Sequence, residues 1–182
     1  MRPRHDQIYE RARCYDIAFG FRDVAAECDA LVALATQHLG RAPSSVLELA
    51  SGPARYACDF ARRGLAVTAL DAVPAMLDYA SALAAREGVS LEVACADTVD
   101  FTLPRRFDLV VLLMDSSSYL LDRQRRSSAA SRLRRLTPGA GWCLRDRDVA
   151  SQGRIRRRRI QQHALDVRGR RLERDDALGA SG

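Results

Sequence analysis

Between residues 45 and 71 the chain reads SVLELAS, PARYACDFARRG, LAVTALD. A short apolar run ends in small residues, an amphipathic stretch begins with Pro and stops at Gly64, and a second apolar run follows: strand, tight turn, helix, strand. The alternation continues. Pro74 opens a helical pattern through Met76, Leu77, Ala80, Leu83 and Ala84 that ends near Gly88. SLEVACAD is a third strand, and FDLVVLLMD, almost wholly apolar as a strand covered on both faces should be, is a fourth. Residues 122–136 suit a helix carrying Ala129, Leu133 and Leu136, TPGAG makes a turn, and WCLRD reads as a fifth strand. The first 40 residues look helical, with Val24, Leu31, Leu34 and Ala35 at helical spacing. Such alternation specifies an α/β fold with a doubly wound, mostly parallel sheet.

Composition narrows the classes further. At 182 residues, 47% hydrophobic and 29% charged, the chain suits one globular domain. No run reaches the ~18 apolar residues of a membrane span, and MRPRHDQIYERAR is too charged for a signal peptide, so the chain reads as cytoplasmic. The five cysteines, Cys14, Cys28, Cys58, Cys95 and Cys143, are odd in number and lack any C-x-x-C, which reads as reduced, buried thiols without metal. The basic residues are all Arg, which removes Walker-type phosphate lysines and Schiff-base chemistry. Their placement is uneven: residues 1–122 hold 12 Arg against 17 acidic residues, whereas residues 123–182 hold 17 Arg against 6.

In open α/β sheets ligands bind outside the carboxyl ends of the strands, near the topological switch point. There the sequence places Glu48, then Ala50, Ser51 and Gly52, followed by Asp71, Asp97 and Asp115 on successive strands. A carboxylate beside the first turn repels a pyrophosphate, and Ala50-x-Gly52-x-Ala54 falls short of G-x-G-x-x-G. A phosphate-free ligand with a positive centre is favoured by the same field, and S-adenosylmethionine, with its sulfonium and ammonium, fits.

The segments VLELASGPARYACDFARRGLAVTALDAVPAML, ACAD, FDLVVLLMDSSSYLLD and LRRLTPGAG resemble, in order, the motifs of class I S-adenosylmethionine-dependent methyltransferases, with a Rossmann-like fold. The resemblance covers roughly residues 9–146 and is strongest over 45–122. It implies that Glu48 through Ala54 wrap the methionine part, that Asp71 binds the ribose hydroxyls with Ala72 beside it, and that Ala96, Asp97 and Thr98 face the adenine. It also implies that Met114, Asp115 and Ser116 flank the transferred methyl. Ala50 and Ala54 stand where the family usually has glycine. Beside the resemblance, Gly52 permits close backbone approach, Pro53 opens a helix whose N–H groups can meet a carboxylate, and Asp71 follows Gly52 by 19 residues, near the spacing of a ribose-binding acid. The expected organisation is an N-terminal helical cap over 1–44, a cofactor-binding core over 45–146 and an Arg-rich segment over 147–182.

Each residue also has a plainer reading. A lone Asp at a strand end is more often a cap. Met76 either packs under adenine or belongs to the core, and Tyr9, Tyr15 and Phe19 either close over the cofactor or pack the first helix on the sheet. Methyl transfer from a sulfonium is an in-line displacement that needs a base only when the nucleophile must lose a proton; Asp115, Tyr119 and His5 are candidates. His38 and His163 read as surface. MDSSSY stands in place of the Asn/Asp-Pro-Pro-Tyr motif of many nucleic-acid and protein methyltransferases, which favours a small-molecule acceptor. The alternative class is an RNA- or DNA-contacting methyltransferase or binding module that uses the basic segment.

That segment is atypical. The family usually continues past the fifth strand with a helix and two antiparallel strands, more than the 36 residues after Asp146 provide. RIRRRRIQQHALDVRGRRLERDD suits one edge hairpin turning at Gly169 or an unstructured end, and the shift in composition near residue 123 also suits an altered or truncated reading frame that leaves an inactive enzyme.

Overall fold

The computed structural model describes residues 11–113, Leu136, and the backbone of 142–145. Two helices, α1 (Ala12–Ala18) and α2 (Val24–Leu39), precede β1 (Ser45–Leu49). Then come α3 (Arg55–Arg62), β2 (Ala66–Asp71), α4 (Pro74–Glu87), β3 (Glu92–Cys95), β4 (Leu109–Leu112) and β5 (Trp142–Arg145). The strands form one parallel sheet in the order β3-β2-β1-β4-β5, so the chain reverses direction across the sheet between β1 and β4. The expected Rossmann-like parallel sheet is present.

The period-2 alternation of β1, β2 and β4 sorts their side chains onto two faces. Val46, Val67, Ala69, Leu109 and Val111 face a cluster with Cys28 and Ala35 of α2, Ala57 and Phe60 of α3, and Ala80 of α4. Leu47, Leu49, Leu70, Val110 and Leu112 face Phe101, Phe107 and Leu136. On that second face Phe101 and Phe107 come from the connection between β3 and β4, which supplies apolar cover without a helix among the described residues. β3 is an edge strand, and Val93 is 44% exposed, so covering on both faces holds for β1 and β4 but not there.

Local signals account for the helix boundaries. Asp23 caps α2 by accepting from the Ala26 N–H (3.1 Å), and Gly40 ends it in the left-handed region. Pro74 lies in the first turn of α4, and Gly88 closes it. The helical character expected of the first 40 residues is divided, among the described residues, between α1 and α2, which are separated at Phe19–Asp23, where Gly20 weakens helix propensity and Asp23 starts a new helix. Pro53 does not occupy the first helical position of α3 but precedes its N-cap, Ala54. The starts of β1 and β4 are tied together by Asp108. It accepts from Arg41 (2.6 and 3.0 Å) and from the Ser44 N–H and hydroxyl (both 2.7 Å). The Arg41 hydrogen bonds hold its carboxyl well below the ordinary value despite its burial.

Candidate functional site

The turn that leaves β1 has an unusual backbone. Ala50, Gly52 and Ala54 all have positive φ, at +50°, +54° and +59°. Only glycine adopts this region without steric cost, so the two alanines are strained. The turn is held by hydrogen bonds from the neighbouring strand: Ser51 N–H donates to Leu70 O (3.0 Å) and Gly52 N–H to Asp71 Oδ2 (2.8 Å). Asp71 Oδ1 accepts from Val73 N–H (2.9 Å) at the entrance to α4. Asp71 therefore has the capping role open to a strand-end aspartate, with one bond on each oxygen. A carboxylate offers about four acceptor positions, so this clamp leaves room for further donors.

Glu48 lies on the helix-covered face of β1, only 3% exposed, and accepts from Ala57 N–H (2.9 Å) in the first turn of α3. That bond takes one of the helix N–H groups expected to meet a ligand carboxylate. Burial pushes the Glu48 carboxyl up to about 8; the Ala57 bond opposes this, and the nearby Asp71 charge adds to it. Beside it the Ser51 hydroxyl is buried and has no hydrogen-bond partner among the described residues. A buried hydroxyl in that state is costly, and such a cost marks a candidate binding position.

The remaining residues at the strand ends fall nearby. Ala96 N–H donates to Asp71 O (3.0 Å), bringing the end of β3 against the end of β2. Asp97 is exposed and accepts from Val99 N–H (3.0 Å) and weakly from Thr98 Oγ1 (3.4 Å), so it caps a tight turn. Ala72 is exposed. Met76, at 1% exposure, is buried in the first turn of α4. His38 is exposed, as expected of a surface residue. Met114, Asp115, Ser116, Tyr119, His5, Tyr9, His163, the helix over 122–136 apart from Leu136, and the hairpin over 154–176 lie outside the described residues.

The thiol reading is corrected in part. Cys28 and Cys58 are buried, but Cys14 and Cys95 are exposed, one on a solvent-facing side of α1 and the other on the edge strand. Among the described residues no group of His, Cys, Asp and Glu has metal-binding geometry, and no helix is long and apolar enough to cross a membrane.

Over the turn lies α1. Tyr15 stacks on Phe19, with ring centroids 4.5 Å apart, and a Cβ built on Gly52 would stand 3.7 Å from Tyr15 Cε1. These residues, with Arg22, Glu48 and Ser51, line a recess of about 40 Å³. Small-molecule pockets run to ~300 Å³ or more, so this recess takes one end of such a ligand rather than the whole of it. The sequence reading missed Asp16, Arg22 and Arg55 at this recess. Asp16 accepts from Arg55 Nε and from Tyr79 OH (2.8 Å), and Arg22 pairs with Glu27 (2.6 Å), which also accepts from Tyr56 OH. No spacing signal joins Asp16 to Arg55 and Tyr79, 39 and 63 positions away, or Glu27 to Tyr56, 29 positions away.

A family model described as a methyltransferase domain matches residues 46–140, the span that contains the turn, the strand-end carboxylates and the switch point. The chain belongs to the methyltransferase domain family. Solved structures share the fold. DesVI of Streptomyces venezuelae is 23% identical with a TM-score of 0.66, over 74% of this chain and 56% of its own. The sugar N-methyltransferase KedS8 of Streptoalloteichus sp ATCC 53650 is 26% identical with a TM-score of 0.63, over 72% and 52%. CalS10, an amino pentose methyltransferase from Micromonospora echinaspora solved with S-adenosylmethionine bound, is 17% identical with a TM-score of 0.60, over 79% and 56%. This chain spans about half the length of these solved proteins. No curated protein sequence matches it. The ligand bound by CalS10 is S-adenosylmethionine. The residues present suit it: the turn carries a buried hydroxyl at Ser51 without a partner among the described residues, a glycine backbone at Gly52, and carboxylates rather than phosphate-binding cations.

Proposed function

We propose that the chain binds S-adenosylmethionine across the carboxyl ends of β1, β2 and β3 and transfers its methyl group in line to a small-molecule acceptor. The observation that carries this reading is the line of carboxylates, Glu48, Asp71 and Asp97, at successive strand ends around a turn with positive φ at three alternate residues. The cofactor supplies an activated electrophile, so the protein's task is orientation and exclusion of water.

In this reading Asp71 accepts the ribose hydroxyls on its remaining lone pairs. Gly52 and Ala50 bring backbone close to the methionine part, and Ser51 donates to it. Glu48, neutral in the free chain because burial raises its carboxyl, accepts from the ammonium and is favoured to ionise once that positive charge lies beside it. Ala72 and Met76 pack beside the adenine, with Ala96, Asp97 and Thr98 at its edge, and Tyr15 covers the methionine end. Met114, Asp115 and Ser116 flank the methyl group, and Asp115, Tyr119 and His5 are the candidates for a base. An acceptor of small size is supported by MDSSSY at the position of the amino-methyltransferase motif and by the acceptors of KedS8 and CalS10, a sugar and an amino pentose.

Thermal denaturation with S-adenosylhomocysteine and, separately, NAD tests the reading. A ligand at 100 times its Kd stabilises by about 2.7 kcal/mol through mass action. A clear rise in Tm with S-adenosylhomocysteine and none with NAD is expected; a folded chain that responds to neither at millimolar ligand refutes it.

A further inference from the structure

α1 is poorly equipped to stay where it is. It has seven residues, too short to persist by itself, and its buried residues are Ala12 and Asp16. Ile17, on the same helix, is 69% exposed. Apolar burial therefore contributes little to holding it down. What reaches into the body of the protein is Asp16, 7% exposed. Its carboxylate accepts from Arg55 Nε, at the first residue of α3, and from Tyr79 OH (2.8 Å) on α4. Arg55 Nη2 also donates to the Asp16 backbone carbonyl (3.2 Å). Three helices thus meet on one side chain, immediately next to Tyr15.

We propose that Asp16 is a positioning residue, a latch that ties α1 to α3 and α4 and so holds Tyr15 and Phe19 against the β1–α3 turn. This rests on the reading of that turn as the cofactor's methionine site. The latch is charge-assisted on two sides, which makes it strong and directional, whereas an apolar contact would let a seven-residue helix slide. Without it, α1 must be ordered anew each time the cofactor binds, and that cost weakens affinity. Arg55 has a second use here: because its position follows directly from the turn, any displacement of the turn is transmitted to α1 through the same ion pair.

The test compares wild type, Asp16→Asn and Tyr79→Phe in S-adenosylhomocysteine titration, dissociation kinetics and amide hydrogen exchange. Loss of one charge-assisted bond should raise the Kd of Asp16→Asn about tenfold, mainly through faster dissociation. Tyr79→Phe should move it in the same direction by less. Amides of α1 should exchange faster in both variants while those of β1 keep their protection, which a general loss of stability would not produce. Should Asp16→Asn also lose β1 protection, Tyr79→Phe, which removes only a hydroxyl, decides. Wild-type affinity and unchanged α1 exchange in both variants overturn the latch. A wild type that binds no S-adenosylhomocysteine overturns the methyltransferase reading instead, and the exchange of α1 still decides the latch.

Discussion

Glu48 shows how one residue serves the strand, the helix and the site. As part of β1 it alternates onto the face of Val46, among apolar neighbours, and the single Ala57 N–H satisfies only part of its capacity. The fold thereby favours its neutral form, with the carboxyl raised to about 8. A carboxyl raised on folding stabilises the native state fully below its ordinary value near 4.5, and that contribution is lost as pH rises through the folded value. Between pH 7 and 8 the slope from this group averages about 1 kcal/mol per pH unit and eases as the folded carboxyl ionises. The low carboxyls of Asp16 and Asp108 act in the opposite sense but below that window. For Asp16, burial pushes upward, while the Arg55 and Tyr79 bonds and the Arg55 and Arg86 charges together prevail. Glu48→Gln keeps an oxygen for Ala57 and removes the titration. Melting curves from pH 7 to 8.5 should decline for wild type and stay flat for the variant; equal declines would show that Glu48 does not titrate in that range.

At the scale of elements, the β1–α3 turn explains two departures from the family pattern. Ala50 and Ala54 occupy left-handed conformations where a Cβ costs roughly 1–2 kcal/mol. Ala50 is half-buried, so Ala50→Gly forfeits little packing and should stabilise by about 1 kcal/mol, a rise of roughly 2–4 °C in Tm. Ala54 is fully buried, and losing its methyl costs about 0.8 kcal/mol, which offsets the relief of strain. The measurement is the pair of melting temperatures: a gain for Ala50→Gly and little change for Ala54→Gly, with a loss for Ala50→Gly counting against the strain argument. The β1-α3-β2-α4 succession was legible because each boundary carries its own chemistry, Gly64, Pro74 and Gly88 among them. The break between α1 and α2 was harder to see because Gly20 and Asp23 interrupt an otherwise continuous helical composition. The β3–β4 connection was illegible as cover for a sheet face, since Phe101 and Phe107 have no period that announces a partner.

For the whole molecule, the charge is divided along the chain, −5 over residues 1–122 and +11 over 123–182, and this is the basis for a nucleic-acid alternative. A chain that docks nucleic acid through several arginines loses on the order of 10³–10⁵ in affinity between 50 and 200 mM salt. With a small-molecule acceptor, no retention of RNA or duplex DNA is expected at 150 mM salt, where tight, steeply salt-dependent binding would favour the alternative. The amino-acid sequence by itself determined the α/β class, the parallel order of strands and helices, and the positions of Glu48, Gly52, Asp71 and Asp97 at strand ends, because periodicity, caps and turn residues act over a few neighbours. Only the tertiary structure decided that Asp71 clamps the turn, that Ser51 is left without a partner among the described residues, and that Asp16 reaches Arg55 and Tyr79. Those contacts join residues 19 to 63 positions apart, and their pairing is set by how helices pack on a twisted sheet, which no local pattern encodes.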